Sequence, residues 1–411
     1  RGEFKAAGIA HELVVAGALP DFDGDRLLAD ATRICEAEIN FWHGKKKPFF
    51  KRYVFMLNAV DDGYGGLEHR ASTALIAARR DLPPRVKSGA KDMADGYVTL
   101  LGLISHEYFH TWNVKRLRPA EFASFDYTQE NYTQLLWFFE GFTSYYDDLL
   151  LLRGGLIDEA RYLKLLAKTL SGVSSMPGRK VQSVAQASFD AWVKYYRGDE
   201  NTPNATISYY TKGSLVALAL DLSLRSEGKG SLDDVMRLLW AQSEGGPISE
   251  ADIAAALKHV GGRSYAKELQ AWVHGTDDLP CQSLLAKAGV AWAQQPPSVA
   301  QRLGLRASES ALTGIKASNV LRGGAAEAAG VSPGDELVAV NGWRIRRLDD
   351  LTRLMAATGP AQLLVSRDQR MLTLTLQLPP APDSGAVSLT LVAADKTSQA
   401  ALALRRAWLP G

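Results

Sequence analysis

His106-Glu107-Tyr108-Phe109-His110 lies inside residues 98–114, where apolar side chains recur at helical spacing. Four residues of α-helix advance about 6 Å along the axis and return to the same face, so the two imidazoles stack where one metal ion can take both. Glu107 falls on an adjacent flank, where it reaches the attacking water as a general base and is not itself a ligand. With 7 histidines in 411 residues, a chance pairing of two core histidines around a glutamate is the weaker reading.

A catalytic zinc site takes three protein ligands and keeps one position open, so a third donor must come from elsewhere in the chain. Glu140 is the candidate. In Trp137-Phe138-Phe139-Glu140-Gly141-Phe142-Thr143 a carboxylate stands among large apolar residues, where an unpaired charge is costly and a dication would compensate it. The bland alternative is a solvated glutamate on the polar side of an amphipathic helix, and Asp147, Asp148 and Glu130 compete for the ligand's place.

Outward from the motif, the chain divides. A chain of 411 residues, 46% hydrophobic and 22% charged, exceeds the size at which one core stops growing. Residues 1–96 read as a sheet-containing lobe, with a strand at 11–16, a helix at 25–41, a strand at 53–60 and a Gly-rich turn at 63–66. Residues 97–293 read as a mainly helical lobe with further segments at 132–152, 159–170, 211–224 and 232–243. Gln-Gln-Pro-Pro-Ser at 294–298 breaks the pattern. Alternation of period two follows, at 337–340 and at Leu372, Leu374, Leu376 and Leu378, so a small β-rich domain is expected over 298–380. Residues 381–411 carry too little signal to place and read as a tail. The fold class is α+β.

The balance of 47 basic against 45 acidic residues, net +2, and the lack of any long like-charged run imply neither nucleic acid nor an anionic membrane as partner. No stretch approaches the ~18 apolar residues of a membrane span. Cys35 and Cys281 lie far apart and read as buried thiols, not a disulfide framework. Arg1-Gly2-Glu3-Phe4 has neither an initiator methionine nor a signal-peptide core, from which an upstream segment is expected. Location stays open between cytoplasm and periplasm.

The run His106-Glu107-Tyr108-Phe109-His110-Thr111-Trp112-Asn113-Val114-Lys115-Arg116-Leu117-Arg118-Pro119 closely resembles the signature of the M61 family, the glycyl aminopeptidases. Glu140-Gly141-Phe142-Thr143-Ser144-Tyr145-Tyr146 resembles that family's second metal motif and the Asn-Glu-Gly-Phe-Ala segment of the related M1 aminopeptidases. The resemblance implies a β-rich N-terminal domain, then a thermolysin-like catalytic domain and a PDZ domain, and by that comparison most of the first is expected to be missing from residues 1–411. Gly65-Gly66-Leu67-Glu68-His69 is similar to the Gly-x-Met-Glu-Asn exopeptidase motif of M1 enzymes, with Leu67 and His69 departing from it. By that likeness Glu68 holds the substrate's free α-amine, while an edge strand at Gly65 and Gly66 aligns the peptide. Tyr209-Tyr210-Thr211-Lys212-Gly213 resembles the M1 segment whose tyrosine stabilises the oxyanion, which puts that role on Tyr210. Tyr209 is the obvious misassignment, and Tyr145 or Tyr146 could line the same cleft as packing residues.

Residues 323–342, from Gly323-Gly324-Ala325-Ala326 to Val340-Asn341-Gly342, resemble the core of a bacterial PDZ domain: an Ala-rich helix, a Pro-Gly-Asp turn, a strand and an Asn-Gly hairpin turn, with a helix at 348–357 after it. PDZ domains capture extended peptides by strand addition; Leu303-Gly304-Leu305 is the candidate carboxylate loop, and a structural or autoinhibitory module without ligand is the alternative. The expectation is a one-zinc aminopeptidase releasing small N-terminal residues, Gly or Ala, from peptides with a free N-terminus. The rivals are an endopeptidase using the same site and a PDZ-based binding protein with a vestigial metal site.

Overall fold

The computed structural model describes residues 1–85, 93–355, 359–378 and 385–409. Its first lobe is a five-stranded mixed sheet built from β1 (Gly2–Ala6), β2 (Ile9–Ala16), β3 (Arg52–Val60), β4 (Tyr64–Glu68) and β5 (Ser72–Ala78) in the order β1-β2-β3-β5-β4. The two central pairings, β2 with β3 and β3 with β5, are parallel. The crossover between β2 and β3 is α1 (Gly24–His43), whose first turn is capped by Asp23 accepting from the Arg26 N–H at 3.0 Å. Alternation along β3 buries Tyr53, Phe55, Leu57 and Ala59 on one face and leaves Met56 exposed on the other. Residues 63–66, expected as a turn, are mostly strand: Gly65 and Gly66 pair with Ile76 and Leu75 in β4, which forms the sheet edge. Glycine's lack of side chain reads as a turn signal in sequence, but at Gly66 it serves close packing beneath the strand.

On the buried face lies α2 (Asp95–Phe109), whose Leu100, Leu101, Leu103, Ile104, Tyr108 and Phe109 are all buried. The helix ends at Phe109, short of the expected Val114, because residues 110–113 tighten into turns such as Thr111 N–H to Tyr108 C=O. The single helix expected at 132–152 is two, α3 (Leu136–Phe139) and α4 (Gly141–Arg153), meeting at Glu140. The Phe139 carbonyl accepts from the Thr143 hydroxyl at 2.6 Å and the Asn113 amide at 3.2 Å, and side chains inserted into the helical ladder break it there. Next come α5 (Glu159–Ser174) and α6 (Thr211–Ser226), which is buried from Lys212 through Leu224.

β6 (Val290–Gln294) leads out of this lobe into a β module with its own core of Leu303, Ile315, Leu337, Val340, Leu351 and Val365. Its strands β7 (Leu305–Ser310), β8 (Gly314–Val320), β9 (Glu336–Val340), β10 (Ala361–Arg367) and β11 (Arg370–Leu376) run in the order β11-β10-β9-β8-β7, with Trp343–Arg344 paired to β9. Asn341 and Gly342 both have positive φ, 49° and 81°, as a tight hairpin requires. The helix expected at 348–357 is a 3-10 turn, Leu348–Asp350, running into Leu351–Leu354; residues 356 and 357 lie outside the described residues. The chain then returns: β12 (Val387–Leu391) pairs with β6, and α7 (Gln399–Trp408) packs on α6, its Trp408 buried in the main core. Cys35 and Cys281 are buried free thiols. Among the described residues no helix is long and apolar enough to cross a membrane.

Candidate metal centre and peptide cleft

α2 presents His106 and its C-cap residue His110 with ring centroids 4.6 Å apart and planes at 88°. Glu140, at the junction of α3 and α4, places Oε2 3.3 Å from His106 Nε2 and 3.1 Å from His110 Nε2. One donor atom from each of the three residues lies within 4.8 Å of the other two. The opposite ring nitrogens are taken: His106 Nδ1 meets Asp147 Oδ2 at 3.0 Å and His110 Nδ1 meets the Asn113 carbonyl at 2.7 Å. A carbonyl only accepts, so His110 Nδ1 carries the proton. In the neutral ring, Nε2 is then a lone pair facing a carboxylate oxygen. Such a face-to-face meeting of acceptors is stable with a cation between them, and the donor set of two imidazoles and one carboxylate suits zinc. Burial opposes charge on both imidazoles, but Asp147 and Glu140 around His106, and Glu140 beside His110, lift both above the ordinary histidine value. Burial would likewise raise the Glu140 carboxyl, yet His110 and His106 hold it well below the usual range.

Asn113 fastens together the two elements that carry the three donors. Its carbonyl orients His110, while its side-chain amide donates to the Phe139 carbonyl and to Thr143 Oγ1, each at 3.2 Å. A second contact fixes α4 against α6: a Cβ on Gly141 would fall 2.6 Å from Gly213 Cα, and one on Gly213 2.6 Å from the Trp137 carbonyl. Only glycine at both positions lets the backbones approach so closely, and the approach sets Tyr210, one residue before α6, against Glu140.

The cleft over the three donors encloses about 660 Å³, and its lining includes Gly65, Gly66, Glu68, Glu107, Tyr195, Tyr196 and Tyr210. Glu107 is 5% exposed. Burial raises its carboxyl above the ordinary glutamate value, offset only in part by His110 and His106. It lies directly beneath β4, where a Cβ on Gly66 would come 2.1 Å from its Oε1; Thr73 Oγ1 stands 3.5 Å from its Oε2. The Tyr210 ring is 6.2 Å from that of His106, and its hydroxyl is 3.3 Å from the Tyr196 hydroxyl. Burial, with Glu140 and Tyr209 nearby, pushes the Tyr210 phenol far up, so it stays a donor. Glu68 faces the cleft and pairs through Oε1 with Lys115 Nζ at 2.9 Å.

Of the competing residues, Asp147 holds His106 from behind, Glu130 is exposed, and Asp148 stands outside the donor group. Tyr209 is buried off the cleft lining, and Tyr145 and Tyr146 bond to Asp221 at 2.6 Å and Asp233 at 3.0 Å inside the helical lobe. Sequence reasoning did not find Asn113, Lys115, Tyr195, Tyr196 or the orienting role of Asp147. Asp147 carried a signal, since it lies seven residues, two helical turns, after Glu140.

A His-His-Glu donor group, with His110 buried and His106 and Glu140 half-buried, stands beside a paired-glycine edge strand, the arrangement expected of a metal-dependent peptidase. Residues 99–216 match the M61 glycyl aminopeptidase family and residues 316–366 match a PDZ domain. The structure of an aminopeptidase N family protein from Idiomarina loihiensis superposes with a TM-score of 0.89 at 35% identity, covering 99% of this chain and 70% of that one. The chain belongs to the M61 glycyl aminopeptidase family. A mutant M1 zinc metallopeptidase from Deinococcus radiodurans aligns over 68% of this chain and 53% of that one, at 17% identity and a TM-score of 0.43. Compared with the curated proteins, the chain has no match.

Proposed function

We propose that the protein is a zinc aminopeptidase that removes small N-terminal residues, Gly or Ala, from peptides. The observation that carries this reading is the convergence of His106 Nε2, His110 Nε2 and Glu140 Oε2, with both Nδ1 atoms occupied by partners behind the rings. When bound by these residues, zinc supplies a Lewis acid that polarises the scissile carbonyl and makes water a stronger acid. Glu107 removes a proton from the attacking water and delivers it to the leaving amine; burial raises its carboxyl above the ordinary glutamate value, which makes it a stronger base. Tyr210 donates its hydroxyl to the oxygen that gains charge in the tetrahedral intermediate. The free edge of β4 at Gly65 and Gly66 extends the sheet by one substrate strand, and Glu68 takes the terminal ammonium. The preference for Gly or Ala rests on membership of the family, and the PDZ domain is proposed to take a peptide of its own by strand addition.

Glu107→Gln tests the reading. Turnover of aminoacyl arylamides should fall by about a thousandfold or more while one zinc per chain stays bound. Unchanged turnover sinks the general-base role, and equal cleavage of N-acetylated peptides would make the enzyme an endopeptidase.

A further inference from the structure

Lys115 sits five residues past His110, on the loop that leaves the motif helix, and its backbone N–H donates to the His110 carbonyl at 3.0 Å. Its ammonium reaches across to Glu68, the last residue of β4, and meets Oε1 at 2.9 Å. Among the described residues the Glu68 side chain makes no ion pair or hydrogen bond with any residue other than Lys115, and the carboxylate borders the cleft. The neighbouring Arg116 is committed elsewhere: its guanidinium donates to the Thr111 and Arg70 carbonyls and lies 3.8 Å over the Phe49 ring. The edge strand and the metal-motif loop are therefore tied at the point where the sheet gives way to the cleft.

A partly exposed ion pair of this kind adds little to stability. Its effect is geometric. A carboxylate has two oxygens with about four acceptor directions, and an ammonium held against one of them restricts how far the group can swing. We infer that Lys115 is a positioning residue of the N-terminal subsite: it holds Glu68 by Oε1 so that Oε2 is presented to the substrate's α-ammonium. This rests on the proposed role of Glu68. Without Lys115, Glu68 is a flexible side chain that must be ordered by each substrate in turn, and the loss falls on binding of the free N-terminus.

The test uses the zinc-loaded full chain and alanyl p-nitroanilide. Lys115→Met should raise KM by about tenfold or more, with kcat within about threefold. Its Tm should stay within about 3 °C of the parent's. Lys115→Arg, which keeps a cation within reach of Oε1, should recover most of the loss. If Glu68→Gln raises KM and Lys115→Met does not, the positioning role is overturned while the anchor stands. If neither variant moves KM, the anchor reading itself fails and the inference with it. A Lys115→Met protein that loses zinc, or loses kcat with KM unchanged, shows a structural tie only and also overturns the inference.

Discussion

Gly66 lies over Glu107, and a methyl group on its Cα would fall 2.1 Å from Oε1 and 2.5 Å from Cγ of that side chain. Glu107 is buried under the strand and cannot yield without leaving the position from which it reaches the cleft. Gly66→Ala should therefore cost about a hundredfold or more in kcat/KM, since displacement of a catalytic group by about 1 Å has effects of that order. The circular dichroism spectrum and zinc content should stay close to the parent's. A Gly66→Ala enzyme with full activity would mean that Glu107 does not work from where it stands. The residues of this site divide by how local their signal is. His106, Glu107 and His110 share one helical turn, so their spacing alone puts them together. Glu140 stood out because a carboxylate among Trp137, Phe138, Phe139 and Phe142 needs a counter-charge. Lys115 and Tyr196 have no such mark; each acquires its meaning from a side chain contributed by another loop, Glu68 and Tyr210, and no periodicity encodes which loops meet.

The junction at Glu140 depends on how closely two helices approach. α4 and α6 meet through Gly141 and Gly213 backbone to backbone, which places the carboxylate of one beside the phenol of the residue preceding the other. Gly213→Ala inserts a Cβ 2.6 Å from the Trp137 carbonyl, a backbone atom that cannot move without shifting α3. Overpacking of this kind costs about 1–3 kcal/mol. The same shift moves Glu140 off the imidazoles, so zinc affinity, measured by competition with a chelator, should fall by about tenfold or more. An unchanged affinity would show that the ligand is positioned by other contacts. The helices themselves were largely legible: α1, α5 and α6 carry regular apolar spacing and lie within a few residues of where the pattern puts them. The break at Glu140 was not, because part of its cause is Asn113, a residue of a different element, which joins Thr143 in bonding the Phe139 carbonyl. Gly66 misled in the opposite direction, since a turn and a close-packed edge strand call for the same residue.

The β module is bracketed by the catalytic body. The chain leaves along β6 and returns along β12, its antiparallel partner, and the Gln295 N–H donates to the Ala386 carbonyl at 2.8 Å where the two connections meet. Between these ends Asn204 grips the module with both atoms of its amide, donating to the Val320 carbonyl and accepting from the Arg322 N–H, each at 2.8 Å. The last residues matter most for the catalytic half. Trp408 of α7 is wholly buried and donates to the Tyr145 hydroxyl at 3.0 Å; that hydroxyl donates to Asp221 at 2.6 Å, joining α7 to α4 and α6. The sequence offered no placement for this segment because a five-residue strand and a ten-residue helix have partners roughly a hundred residues or more away. Residues that follow a separate module would ordinarily be dispensable, but here they complete the core from which Glu140 projects. Trp408→Ala should cost about 3–5 kcal/mol. Ending the chain after residue 380 removes β12 as well and should leave a protein that neither holds zinc nor turns over substrate at 37 °C. Excising 296–385 and joining Gln295 to Ala386 through a short Gly-Ser linker keeps both elements. That protein should retain zinc and most of the turnover of short arylamides, whereas retained zinc and activity in the 1–380 truncation would show that the returning strand and helix are not part of the catalytic fold.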